Sequence, residues 1–332
     1  MNRVICQAEP RKAALRLPVF ICVLLWVLPL IGQAQEREPD IVLTLATGRV
    51  IISVGAKGIV IGALEGPAKS GSCPPLIVPV GGRRLGILLG AVEWAAHGRA
   101  LVRFDRVLPA LASEVTRPRP AKDPQPTASD IESLGVAFLE RLRAVAQELH
   151  HKLDLRPQEP LVELLLVGYE ENYGPEVWLL KYRVAQEASR GDYWRTRVLR
   201  PSYTQLYPPE KGQPRTLIEV RFPDESGPTL LELLRQKDPR LVRIAASDAR
   251  IARAAEYLDR GESQKALAGD TAEWLRATLG AVRAADERQI LGVLYEERDL
   301  EWLLAPPERP EKAQQEKPRE TGAPTLRKKP LP

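Results

Sequence analysis

The residue types that most often carry chemistry are sparse in this chain and widely spaced. Three histidines, His97, His150 and His151, are too few for the usual metal sites, and no H-E-x-x-H or paired-cysteine motif accompanies them. His150 and His151 are neighbours in a helical pattern and point about 100° apart, as surface or helix-end histidines do. Gly81-Gly82-Arg83-Arg84-Leu85-Gly86 is rich in glycine but lacks the Lys-Ser/Thr of a phosphate loop, and between two apolar runs it reads as a hairpin turn. No G-x-S-x-G elbow is present. Cys73 lies in the loop Gly71-Ser72-Cys73-Pro74-Pro75 with no assignable basic partner, which makes it an inert thiol. No metal or other cofactor is expected. Aromatic and basic residues gather once: six of the eight tyrosines lie between Tyr169 and Tyr207, with Trp178, Trp194, Lys181, Arg183, Arg195, Arg197 and Arg200. Interleaved on strands, such residues bind sugars, peptides or single-stranded nucleic acid, and cross-strand pairing in an extended ribbon produces the same pattern.

The elements that must position these residues come in blocks. From Ile41 to Leu89 short β-branched runs alternate with turns, giving a hairpin from 49–54 to 59–63 and a second from 76–80 to 85–89. Both are apolar on both faces, so their sheet must be covered twice. Helical spacing is expected after Trp94, through Leu101, Phe104, Leu108 and Leu111, with Pro109 against its last turn. Four prolines between Pro118 and Pro126 separate it from a second helix, opened by the capping box Ser129-Asp130-Ile131-Glu132. Strands return at 161–167 and 177–184, and a further pair is read at 195–199 and 216–220 around a loop from Pro201 to Pro214. One helical stripe runs from Leu241 to Leu258, interrupted by Asp248 and ended by Gly261, a last helix is capped near Asp270, and Ile290 to Tyr295 reads as a closing strand. Segregated blocks favour an α+β fold with antiparallel sheets covered by helices. No repeat of solenoid period is present.

Hydrophobic residues make up 44% and charged residues 27% of the 332, as in ordinary globular chains. Residues 1–16 hold four basic side chains, Leu17 to Ile31 hold no charge, and Gly32-Gln33-Ala34 offers a cleavage site. This is a secretory signal, 1–34, cut after Ala34; its apolar run is short of the about 20 residues a membrane anchor needs. Without the leader the balance is 44 basic to 42 acidic residues, which disfavours nucleic acid as a partner. Cys73 is then the sole cysteine, so no internal disulfide forms. A single domain, 35–305, follows, with a proline-rich loop at 115–128, and the proline- and charge-rich segment 306–332 reads as a disordered tail.

The stretch Lys57-Gly58-Ile59-Val60-Ile61-Gly62-Ala63, the strands at 77–81 and 85–89, and Gly168-Tyr169-Glu170-Glu171 followed by Gly174-Pro175 resemble proteasome-type N-terminal-nucleophile hydrolases over roughly residues 45–184. The resemblance implies a four-layer αββα sandwich. It also implies a threonine at a free N-terminus as nucleophile, an aspartate after the second strand and a lysine opening the third. Register fixed on Gly58 puts these positions at Gly48 (with Thr47 beside it), at Leu64 (with Glu65 beside it) and at Pro75, so none matches. The reading is a secreted or periplasmic, non-catalytic structural or binding subunit, a homo-oligomer by the same resemblance, with a peptide or glycan ligand. One alternative removes residues 35–46 to expose Thr47 as the nucleophile of an amide hydrolase. Another is a glycan- or peptide-binding module on the Tyr169–Tyr207 ribbon, served by Trp194 and Tyr203.

Overall fold

The computed structural model of the protein describes residues 42–66, 71–81, 83–96, 99–115, 128–148, 160–170, 173–188, 194–223, 227–284, 287–298 and 300–307. The leader, the three histidines, the proline-rich stretch and residues 308–332 lie outside them. From its start the described chain forms β1 (Val42–Ala46), β2 (Gly48–Gly55), β3 (Gly58–Glu65), β4 (Ser72–Cys73), β5 (Leu76–Pro79), β6 (Arg84–Ala96) and β7 (Arg99–Arg103), then α1 (Phe104–Val115) and α2 (Ala128–Glu148). There follow β8 (Val162–Glu170), β9 (Gly174–Tyr182), β10 (Val184–Ala188), β11 (Trp194–Val198), β12 (Ser202–Tyr207) and β13 (Ile218–Phe222). Helices α3 (Leu230–Arg235), α4 (Pro239–Ala245), α5 (Ala249–Asp259) and α6 (Ala268–Val282) precede β14 (Gln289–Tyr295) and β15 (Leu300–Leu304). Helices and largely antiparallel sheets in separate blocks make this a mixed α/β chain of the α+β kind.

The larger sheet runs β12-β9-β8-β6-β1-β4, with β5 and β7 also bonded to β6, and the smaller runs β13-β2-β3-β14-β15. Alternation along a strand sends successive side chains to opposite faces, and here both faces are covered. On β8, Val162, Leu164 and Leu166 join a cluster with Phe104, Leu108, Phe138 and Leu142 of α1 and α2, while Leu165 and Val167 meet Val50, Ile52, Ile59 and Ile61 of the smaller sheet. The other side of the smaller sheet, through Ile51, Val60 and Leu291, packs on Trp274, Leu275 and Leu279 of α6. That double cover explains why seven consecutive residues of β8, from Val162, are buried.

Several elements differ from the sequence expectation. Trp94 does not mark the change from strand to helix: β6 continues to Ala96, β7 returns beside it, and α1 starts at Phe104. Leu101, in helical spacing with Phe104, is an exposed strand residue. Pro109 lies within α1 because Leu108, Leu111 and Ala112 on either side of it are buried and hold the turn. The pair proposed at 195–199 and 216–220 does not form: β11 pairs with β10, and β13 pairs with β2, where Val220 and Phe222 find cover between the sheets. The loop assigned to 201–214 contains β12, an edge strand on β9. By contrast, the stripe from Leu241 to Leu258 breaks at Asp248 as expected, into two helices, because the Asp248 side chain accepts from the Arg250 amide (2.7 Å) and caps the second. The last helix, α6, begins at Ala268 with Asp270 in its first turn.

Asp238 caps α4 in the same way, accepting from the Arg240 amide at 2.8 Å. Hydrogen bonds from the Arg240 side chain, then from its amide, hold the Asp238 carboxyl down at about 2. A depressed folded-state value stabilises above the ordinary aspartate range and is lost as pH falls toward 2. Carboxyl chemical shifts across an acid titration should place Asp238 near that value; a midpoint in the ordinary range would show that the cap does not hold in solution.

Candidate functional site

Thr47 is the single residue between β1 of the larger sheet and β2 of the smaller, so the chain changes sheets there. Its backbone is held from both sides: the N–H donates to the Cys73 carbonyl (2.9 Å) and the carbonyl accepts from the Gly66 N–H (3.0 Å). Ala46, just before it, is fully buried and registers with Gly90 of β6 and Cys73 of β4. Thr47 is 7% exposed, and its Oγ1 finds no hydrogen-bond partner among the described residues. The hydroxyl lies toward Gly66, where an added Cβ would stand 2.9 Å from it, so the crossing fits only a glycine there.

Gly48, the family's nucleophile position by register, has φ +130°, and a Cβ on it would stand 2.0 Å from the Leu64 carbonyl oxygen. No nucleophilic side chain fits at 48. Leu64 is buried, and Glu65 closes β3 opposite Gly48, its carboxylate 15% exposed and 3.7 Å from Nε of Arg288. Pro75 precedes β5 and lines a cleft of about 470 Å³ together with Glu65, Cys73, Asp105 and Arg288. The fold thus brings Glu65, Cys73 and Pro75 to one place. Thr47 joins them through its bond to the Cys73 carbonyl but does not line the cleft. Asp105 is gripped by Arg103, whose Nη2 and Nε lie 2.7 and 3.3 Å from its two oxygens. Cys73 is half-buried and not disulfide-bonded. A guanidinium stays protonated and cannot take a proton, so Arg288 offers only donors and charge, while Glu65 and Asp105 are the lining groups that accept hydrogen bonds or bind positive charge.

Sequence reading did not find the buried ion pair of Lys181 with Glu163, Nζ to Oε1 2.6 Å, Glu163 being 1% exposed. Glu163 sits in the apolar run LVELLLV and, by alternation with Leu165 and Val167, faces the space between the sheets. Its strand lies two away from β1 and that of Lys181 three away, which at the usual strand spacing is about 10 and 14 Å.

The residues of the Tyr169–Tyr207 segment do not share a surface. Tyr182 and Tyr203 pack on the cluster under α2, the Tyr182 hydroxyl donating to the Gly135 carbonyl at 3.0 Å, whereas Tyr169 and Tyr207 pack between the sheets. Burial pushes up the hydroxyl pKa of Tyr182, Tyr203 and Tyr169, with Glu296 and Tyr207 adding to it at Tyr169. Trp178 donates Nε1 to Glu176 (3.0 Å), and Tyr173, 70% exposed, stands at the hairpin tip. Tyr193 and the side chain of Trp194 lie outside the described residues. Among the described residues no group of three or more histidines, cysteines or carboxylates is placed to hold a metal, and no helix is long and apolar enough to cross a membrane. No protein-family model matches the chain, and no curated protein matches it significantly.

Proposed function

We propose that this chain is an exported, non-hydrolytic relative of the N-terminal-nucleophile hydrolases, with their αββα layer order, acting as a binding or structural subunit of a homo-oligomer. The layer order is supported by the three apolar clusters, one under α1 and α2, one containing residues of both sheets and one under α6. The meeting of Glu65, Cys73 and Pro75 supports the kinship, and the steric exclusion of a side chain at Gly48 supports the loss of chemistry. One observation carries the reading. The strand that precedes Thr47, β1, is hydrogen-bonded between β6 and β4, and the Thr47 N–H donates to Cys73, so a cut that freed a Thr47 α-amine to act as base would take a paired strand out of the larger sheet.

The test is the intact mass and N-terminal residue of the exported protein, before and after treatment with an electrophile directed at N-terminal threonine. The expected chain begins ahead of Val42 and takes no adduct at Thr47. A chain beginning at Thr47 and labelled there would establish the amide hydrolase instead.

A further inference from the structure

The cleft beside Glu65 is built from parts distant in sequence, and its walls are unlike its anchor. One wall is the unbroken run from Ser72 to Val78, and the other includes Pro306 and Pro307, which follow β15. Proline and aliphatic side chains line much of these walls, with polar surface beside them. Of the two carboxylates present, Asp105 is already gripped by Arg103. Among the described residues Glu65 pairs with Arg288 alone, at 3.7 Å, beyond hydrogen-bond reach, and the Arg288 side chain is 64% exposed. An ionised carboxylate has about four lone-pair sites, so Glu65 retains acceptor capacity toward the cleft.

We propose that this cleft binds an extended peptide segment of a partner protein through a lysine or arginine side chain seated on Glu65. The inference deepens the binding role proposed above and rests on it. Extension suits the occupant, because the wall is a stretch of strand and bend long enough to accommodate several residues side by side. Addition of a further β-strand does not suit it. Val80 donates to the Arg84 carbonyl, so by antiparallel alternation Leu76 and Val78 direct their backbone groups to β6, and Ile77 directs its own outward. Pro75 and Pro79 flank Ile77 on that outward edge and have no N–H to donate. Backbone pairing is thus limited to Ile77, so recognition rests on side chains, and Glu65 is the lining carboxylate not gripped by Arg103.

Cys73, in the wall, reports occupancy. The exported protein is alkylated with iodoacetamide and the modification at Cys73 is followed by mass spectrometry, with and without an acetylated, amidated Ala-Pro-Lys-Pro-Ala peptide. At ten times its dissociation constant the lysine peptide should slow alkylation about tenfold, whereas the same peptide with glutamate in place of lysine should not. Glu65→Gln, checked for an unchanged unfolding midpoint, should raise that dissociation constant about tenfold by removing one charge-assisted hydrogen bond. Equal protection by the two peptides, protection by neither at millimolar concentration, or an unaltered affinity in Glu65→Gln would overturn the proposal. The N-terminal residue of the exported chain is measured separately, so failure here is distinguishable from failure of the non-hydrolytic reading.

Discussion

Replacing Gly48 with alanine should prevent folding. The added Cβ would lie 2.0 Å from the Leu64 oxygen, 2.7 Å from the Gly66 nitrogen and 3.0 Å from the Glu65 carbonyl carbon, all of them backbone atoms that no rotamer change can move. The residue also holds φ +130°, which side chains other than hydrogen rarely adopt. Gly174 separates the two effects, because it has φ +80° but nothing within 4 Å of an added Cβ. Gly174→Ala should cost only the conformational part, about 1–2 kcal/mol, whereas Gly48→Ala should exceed about 4 kcal/mol and appear as loss of soluble protein or of a cooperative transition. A Gly48→Ala protein with an unchanged unfolding midpoint would mean that the crossing from β1 to β2 is not packed as described, and the argument against a nucleophile at that position would fall with it.

The second large effect is expected at Phe138. This ring, fully buried on α2, stands 5.2 Å from the centroids of both Phe104 and Tyr182, edge-on to each, and Phe104 in turn meets Trp94 at 6.2 Å. The row joins α1, α2 and the larger sheet. Phe138→Ala removes both aromatic contacts, each worth about 0.5–1.5 kcal/mol beyond its buried area, and leaves a cavity that neighbouring rings cannot close. A loss of about 3–5 kcal/mol in urea unfolding is expected, a large part of the about 5–15 kcal/mol that usually holds a domain. A loss under about 1.5 kcal/mol would show that α2 collapses into the gap.

The sequence made some of this legible and hid the rest for physical reasons. Hairpins such as β2–β3 and β8–β9 are local, with period and turn both written within about twenty residues, and both pairings form, the second extending through residues read as turn. The partner of 216–220 was not legible: periodicity marks a strand but not its neighbour, and β2 lies far back in the chain. The helix expected after Trp94 forms, but only from Phe104, because Leu101 repeats by chance at the spacing of the real helix face. At the candidate site, Thr47, Glu65 and Pro75 could be proposed through a family register, and Glu65 and Pro75 do meet at one cleft. Arg288 and Asp105, which share that cleft, carry no local pattern; only the closure of β14 against β3 and the placing of α1 bring them in. The Glu163–Lys181 pair was hidden in the same way, since a lone glutamate in an apolar run reads as an edge and not as a buried ion.

The central position of β3 governs how the molecule can be assembled. Leu64 registers with Gln289 and Gly58 with Tyr295, so one side of β3 waits for a strand made near the end of synthesis. Until then the nascent chain carries an open backbone edge flanked by fully buried-type residues, Ile59, Ile61 and Ala63 on one face and Val60 and Leu64 on the other. Contacts of such long sequence separation form slowly, and a waiting apolar edge is a template for pairing with other chains. The fold therefore completes itself from its two ends together, and any product terminated before residue 289 is left with an adhesive sheet that nothing within it can cover.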